Sequence, residues 1–134
     1  MRTLLVLACS ATMLAACSDK NEAAEDKLER AAETSATVAG PLPAALGLTE
    51  AQLLDADLVG ADGKDLGDVE QVLRDPENKV DRLLVELDGI GPDRYVHVPI
   101  TGLKPVVNGN DTDLATPLTK ADLAALPEVK LPAT

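Results

Sequence analysis

The spacing of apolar residues predicts a series of short β-strands from residue 57 onward. In this region large apolar side chains tend to recur at every second position, which is typical of half-buried strands. Turn-forming pairs such as Asp62-Gly63 and Asp75-Pro76 separate the runs. The pattern predicts strands at residues 57–60, 66–73, 80–87 and 95–98, and a further strand near Leu114.

The same alternation assigns side chains to the two faces of the longer strands. In residues 66–73 it places Val69, Gln71 and Leu73 on one face and Asp68, Glu70 and Val72 on the other. In residues 80–87 it groups Leu83, Val85 and Leu87 opposite Arg82, Leu84 and Glu86.

The strand at residues 95–98 carries the pair of side chains with the clearest candidate role. Alternation places Val96 and Val98 toward the core and places Tyr95 and His97 on the opposite, outer face. Exposed aromatic and amphipathic side chains are common anchors of protein interfaces. The hypothesis is therefore that Tyr95 and His97 contact a partner protein, and the alternative is an ordinary polar outer face.

Two capping motifs predict short helices on either side of the strands. Residues 49–52 (Thr-Glu-Ala-Gln) fit a capping box, so a helical turn is expected to begin at Thr49. Residues 119–122 (Thr-Lys-Ala-Asp) fit a second one, which opens a short helix through Leu126 that Pro127 ends.

Many short strands divided by turns, with no long amphipathic helix between them, indicate a mostly β fold. We predict a small antiparallel β-barrel with short flanking helices. Its core is built from Leu, Val, Ile and Ala, because Tyr95 is the only aromatic residue in the 134-residue chain. The scarcity of rings argues against base-stacking surfaces, and a net charge of −11 argues against binding to nucleic acid.

The segment before the strands has the composition of a tether. Residues 22–33 are rich in helix formers, but Leu28 is their only large apolar side chain. A helix here is expected to have no apolar stripe to bury, so we predict a disordered or helical tether in solvent. The predicted division is residues 1–16 as signal peptide, 17–47 as acidic tether, 48–130 as the folded domain and 131–134 as a tail.

The N-terminal residues have the layout of an export signal. Arg2 precedes a short apolar run at residues 3–16, which is too short for a membrane-spanning helix. The sequence Leu-Ala-Ala-Cys at residues 14–17 resembles the lipobox of bacterial lipoproteins. That resemblance implies acylation of Cys17, and Ser18 after it implies sorting to the periplasmic face of the outer membrane. The alternative is an ordinary signal peptide with an incidental cysteine.

Few residues are available for catalysis or metal binding. His97 is the only histidine and no Ser lies in a nucleophile elbow, so we expect neither an enzyme, nor a metal site, nor a cofactor. Residues 108–113 (Asn-Gly-Asn-Asp-Thr-Asp) cluster oxygen ligands but lack the glycine and glutamate of a calcium loop, which predicts a solvated turn. The acids around Glu70 and Glu86 predict a solvated acidic face rather than a catalytic carboxylate pair.

A family resemblance covers about residues 50–129. The sequence DADLVGADGKDLGDVEQVLRDPENKVDRLLVEL at residues 55–87, followed by YVHVPITGLK at residues 95–104, resembles the PRC-barrel domain. The helical tail TKADLAALPEV at residues 119–129 is also similar to many members. The chain departs from the family at residues 99–101 (Pro-Ile-Thr), where many members carry an aromatic residue after the proline.

The two resemblances together lead to an expected function. The PRC-barrel family implies a small β-barrel that docks onto larger assemblies and has no active site. We therefore expect a lipid-anchored protein of the cell envelope, held to the membrane through Cys17, whose domain binds or scaffolds a protein partner. The alternative is a periplasmic lipoprotein that binds a small ligand or a divalent ion.

Overall fold

The computed structural model describes residues 20–91 and 93–132, and these contain three helices and nine strands. Residues 1–19, with the export signal and Cys17, lie outside the described residues. The helices are α1 (Lys20–Ala39), α2 (Glu50–Leu54) and α3 (Lys120–Ala124). The strands are β1 (Pro43–Ala45), β2 (Leu48–Thr49), β3 (Asp57–Val59), β4 (Asp65–Arg74), β5 (Val80–Leu87), β6 (Arg94–Pro99), β7 (Lys104–Asn108), β8 (Asp111–Ala115) and β9 (Glu128–Val129).

Seven strands form one sheet, in the order β7-β8-β3-β4-β5-β6-β9, and β1 pairs with β2 separately. All neighbours in the large sheet are antiparallel except β3 and β8, which run parallel. Within the described residues β7 and β9 each have only one neighbouring strand, so the sheet is not closed. The prediction of a mostly β, mostly antiparallel fold is confirmed.

Strands with strong period-two patterns lie where the sequence predicts them. The strand β5 has the predicted bounds, β3 ends one residue earlier than predicted, and β4 and β6 are each one residue longer at both ends. The strand near Leu114 is β8. The sequence did not predict β7, whose five residues are all exposed and therefore show no alternation of burial.

A β-bulge corrects the predicted faces of β4. Val69 pairs with Val85, but the next paired residue is Gln71, which lies opposite Leu84. The extra residue reverses the alternation, because a bulge places two residues of one strand opposite one of its partner. Val69 and Val72 therefore both face the core, and the predicted separation of these two valines is wrong.

The core lies on the face of the sheet opposite to Tyr95 and His97. Val96 and Val98 point into it as predicted, and both are completely buried. Other completely buried apolar residues come from all parts of the domain, namely Leu53, Leu58, Leu83, Val85, Leu114 and Leu123. Aliphatic side chains thus build the core without a contribution from an aromatic ring.

Both predicted capping boxes are present. Thr49 Oγ1 accepts a hydrogen bond from the Gln52 backbone N–H at 3.2 Å, and the Gln52 side chain accepts one from the Thr49 N–H at 3.0 Å. The Thr119 box is formed in the same way by Asp122. The helix α3, which follows this box, ends at Ala124, two residues before the predicted end at Leu126.

The helix α1 differs most from expectation. A helical segment was predicted, but it is longer and packs against β4 and α2 instead of standing in solvent. Ala24 and Ala32 are 8% and 5% exposed. The expectation that this helix has nothing to bury is wrong, because small side chains let it approach the sheet closely. Among the described residues, no helix has the length and apolar character needed to cross a membrane.

Candidate functional site

The outer face of the central strands lies beneath α1, and we call it the covered face. Directly paired residues of neighbouring strands point to the same side of a sheet. Glu86 is paired with Tyr95, Leu84 with His97, and Gln71 with Leu84. The covered face consists of these side chains together with Glu70 at the bulge.

Tyr95 lies under the helix rather than at the surface. Only 3% of the residue is exposed, and its hydroxyl donates a hydrogen bond to Oε1 of Glu25 on α1 at 3.0 Å. Burial, and then the hydrogen bond to Glu25, raise the pKa of Tyr95. The prediction that Tyr95 and His97 share the face opposite the valines is confirmed, but the expected exposure of Tyr95 is wrong because α1 covers it.

His97 remains exposed at the margin of the covered face. Partial burial, and then the positive charge of Arg82, lower the pKa of His97. The imidazole is therefore mainly neutral at pH 7, and it can both donate and accept a hydrogen bond. Its role as a partner contact stays a prediction.

Several carboxylates meet where α1 lies on the sheet. Glu70 is half-buried, and desolvation followed by the charges of Glu86 and Glu29 raises its pKa to about 7. Glu86 has its pKa raised by desolvation first and then by Glu25. The ion pairs found among the described residues involve none of these four glutamates. The predicted acidic face is thus not fully solvated, because α1 covers part of it. The helix also adds Glu25 and Glu29 to the acids of the sheet.

The raised pKa of Glu70 predicts a loss of stability as the pH rises. The unfolded chain releases this proton near pH 4.5 and the folded chain near pH 7, so the stabilisation present below pH 4.5 is lost between these values. Because Glu70 is only half-buried, solvent screening reduces the effect to about 1 kcal/mol.

The comparison that checks this prediction is a set of thermal melts from pH 4.5 to pH 8. We expect Glu70→Gln to match the wild type at the acid end and to melt several degrees higher at pH 8. Glu77→Gln, in an exposed turn, is the control and should follow the wild type throughout. Equal melting of the Glu70→Gln variant and the wild type at pH 8 contradicts the assignment.

Three carboxylates approach one another at one end of the interface. Oxygen atoms of Glu25, Glu86 and Asp93 lie within 4.8 Å of one another, and Asn21 Nδ2 donates a hydrogen bond to Asp93 Oδ2 at 3.3 Å. Carboxylate oxygens are the ligands that calcium prefers. Exposed acidic groups are often this close without an ion, so the geometry by itself assigns no metal.

An apolar groove of about 340 Å³ runs along the other edge of α1. Leu28 and Ala31 line it from the helix, and Leu84 and His97 line it from the sheet. The segment that follows β9 closes its far side with Leu131. The groove connects the covered face to solvent next to the exposed imidazole.

The family model of the PRC-barrel domain matches residues 50–121. The chain belongs to the PRC-barrel domain family. A search of curated proteins finds no match. The matched region begins at α2 and ends in α3, so it includes the strands of the covered face but not the helix that covers them.

A second cleft of about 820 Å³ separates α1 from the β4–β5 turn of the PRC-barrel domain. Glu50 is 1% exposed there, and its Oε2 accepts a hydrogen bond from Arg74 Nη2 at 2.7 Å. Its other oxygen accepts one from the hydroxyl of Ser35 on α1. Sequence reasoning missed this ion pair, because its partners are 24 residues apart and neither interrupts a local pattern.

The acidic sequence at residues 108–113 forms the β7–β8 hairpin of the PRC-barrel domain. Gly109 occupies the turn with φ of +66°, a conformation that glycine adopts without strain. Asn108 Nδ2 donates a hydrogen bond to Asp113 Oδ2 at 3.3 Å, so two of the expected oxygen-rich residues pair with each other. A turn is confirmed at residues 109–110, but Asn108 and Asp113 lie on β7 and β8, and Asp113 is buried rather than solvated.

Proposed function

We propose that the protein is a lipid-anchored envelope protein whose PRC-barrel domain binds a partner protein without catalysis. The observation that carries the proposal is the covered face, where the only aromatic residue of the chain lies beneath a helix from outside the family match. Tyrosine is typical of the buried centre of protein interfaces. A helix of the same chain already packs on this face, which supports a partner that binds it with a helix of its own.

Site-specific crosslinking in cells tests the partner. A photoreactive residue is placed at His97, which is exposed at the margin of the covered face, and in a matched control at Asn110, which is exposed in the β7–β8 turn. The two positions lie near opposite ends of the strand order, so non-specific contact with neighbouring proteins labels both. We expect a discrete adduct from position 97 alone. No adduct from either position, or equal adducts from both, contradicts the proposal.

The proposed anchor predicts a change of location for Cys17→Ser. Without the thiol no lipid is attached, so the variant is expected to leave the membrane fraction or to keep its uncleaved signal. The domain is expected to fold normally, because Cys17 precedes all the helices and strands of the described residues. Fractionation with labelled fatty acid is the measurement, and a lipidated, membrane-bound Cys17→Ser protein contradicts the proposed anchor.

The alternative function, binding of a small ligand or a divalent ion, makes a different prediction. A ligand that binds only the folded protein raises its melting temperature with concentration. Thermal melts with millimolar calcium chloride separate the alternatives, because protein binding through the covered face requires no response to calcium. A saturable rise in melting temperature favours the alternative.

A further inference from the structure

The helix α1 fits the covered face well in shape. Ala24 and Ala32 are buried at the contact, and Leu28 between them lines the groove. These positions are four residues apart, so they form one stripe along the helix. The two buried alanines of this stripe let the helix meet the sheet directly, and Leu28 fills the space at its side.

The same helix fits the covered face poorly in charge. Glu25 is partly buried on the sheet side of α1, and Glu29, although itself exposed, lines a cleft with Glu70 at the edge of the contact. Both contribute to the raised pKa of Glu70. Glu25 also faces Glu86, and their oxygens belong to the three-carboxylate cluster described above. Like charges at such distances repel, and the repulsion is stronger where water is partly excluded.

No cation of the described residues compensates this repulsion by an ion pair. The paired lysines and arginines are bonded elsewhere, to Asp62, Glu50, Asp81 and Glu128. Lys27 lies on the groove side of α1, near His97. The ionisable groups around the interface are Glu25, Lys27, Glu29 and Glu33 from α1, Asp55 after α2, Asp68 and Glu70 from β4, Asp81, Arg82, Glu86 and the adjoining Asp88 from β5, Asp93 from the following loop, Tyr95 and His97 from β6, and Lys130 after β9.

We propose that the covered face is the binding site for a basic helix of the partner protein, and that α1 is a weaker occupant which this helix displaces. The inference rests on the proposed function and names the partner class. The displacing helix has small residues where α1 has Ala24 and Ala32, and Lys or Arg where α1 has Glu25 and Glu29.

Charge complementarity selects this occupant over others. A cation at each of the two positions replaces a repulsion with an attraction to Glu70 and Glu86, whose neighbours are acidic as well. The α1 helix occupies the face in spite of its charge because it belongs to the same chain, which gives it a high effective concentration. A partner helix lacks that advantage and depends on better contacts.

A pair of labelled peptides with the same net charge tests the inference against the full chain. The test peptide has the sequence of residues 20–39 with Glu25 and Glu29 changed to Lys. The control peptide instead has Lys at the positions of Glu22 and Asp26, which are exposed and whose side chains make no hydrogen bond within the described residues. By fluorescence anisotropy we expect the test peptide to bind about tenfold or more tightly than the control, a ratio worth about 1.4 kcal/mol.

The same substitutions within the full chain give a second measurement. Here α1 itself carries the lysines, so no added peptide has to compete with it for the covered face. Glu25→Lys/Glu29→Lys should raise the melting temperature at pH 7 by several degrees over Glu22→Lys/Asp26→Lys. The substitution removes the carboxylate that accepts the Tyr95 hydrogen bond, but a lysine at position 25 can instead donate one to the Tyr95 hydroxyl oxygen. Adding Glu70→Gln and Glu86→Gln to the full chain should remove both the tighter binding of the test peptide and the rise in melting temperature.

The outcomes separate this inference from the proposed function. Equal binding of the two peptides, or no stabilisation of Glu25→Lys/Glu29→Lys over its control, overturns the basic-helix inference. In cells, Glu25→Lys/Glu29→Lys should also abolish the adduct formed from position 97. An adduct that persists overturns the inference while leaving a partner protein in place, whereas a wild type without an adduct overturns both.

Discussion

Val96→Asp is expected to prevent folding of the PRC-barrel domain. Val96 has no exposed surface and lies in the centre of the core, between Val85 on β5 and the edge strand β9. A carboxylate at this position has no cation and no water to stabilise it, so the substitution costs about 4 kcal/mol or more. That is close to the whole stability of a small domain.

Circular dichroism and size-exclusion chromatography check this prediction. The control is Val107→Asp on β7, where 76% of the valine is exposed and a charge stays in water. We expect the control to melt within a few degrees of the wild type and Val96→Asp to show no cooperative transition. A normal transition in Val96→Asp means that the core lies on the other face of β6.

Gly67→Ala is expected to lower the free energy of unfolding by about 3 kcal/mol, through overpacking at the β4–β5 pair. A Cβ atom at this position lies 2.0 Å from the backbone oxygen of Glu86, which cannot move without separating the two strands. The backbone φ of +156° adds a smaller strain. The steric clash with Glu86, rather than the backbone conformation, therefore accounts for most of the loss in free energy of unfolding.

Gly109→Ala separates these two causes. Gly109 has φ of +66°, but a Cβ atom added there meets no other atom within 4 Å, so only the backbone strain of about 1 kcal/mol applies. Urea denaturation of both variants gives the comparison. If Gly67→Ala costs no more than Gly109→Ala, the two strands separate more easily at this point than their pairing indicates.

Local signals in the sequence were sufficient for much of the fold. The capping box at Thr49 depends on residues three apart, and the strand β5 depends on eight consecutive residues, so each is visible in a short window. The bulge after Val69 is not visible in this way, because it depends on the pairing with Val85 and Leu84. Pattern reasoning assumes a regular strand, and it fails where a neighbouring strand imposes the irregularity.

The candidate site was predicted only in part for a related reason. Alternation correctly grouped Tyr95 with His97, since both lie within four residues on one strand. It did not predict the cover, because Ala24 and Ala32 are not large apolar residues and their burial depends on a sheet that begins far along the chain. The expectation of a solvated helix depended on Leu28 as the only large apolar residue of residues 22–33. It therefore missed that acids of α1 meet other acids on the sheet.

The parallel pairing of β3 with β8 has a consequence for the rate and order of folding. Leu58 lies opposite Leu114, more than fifty residues further along the chain, whereas β4, β5 and β6 pair with their neighbours in sequence. Closing so long a loop costs chain entropy before any contact compensates it, which slows folding into the range of about milliseconds to seconds. The β4–β5–β6 meander can form early, but β3 becomes a central strand only after residues 111–115 have arrived beside it.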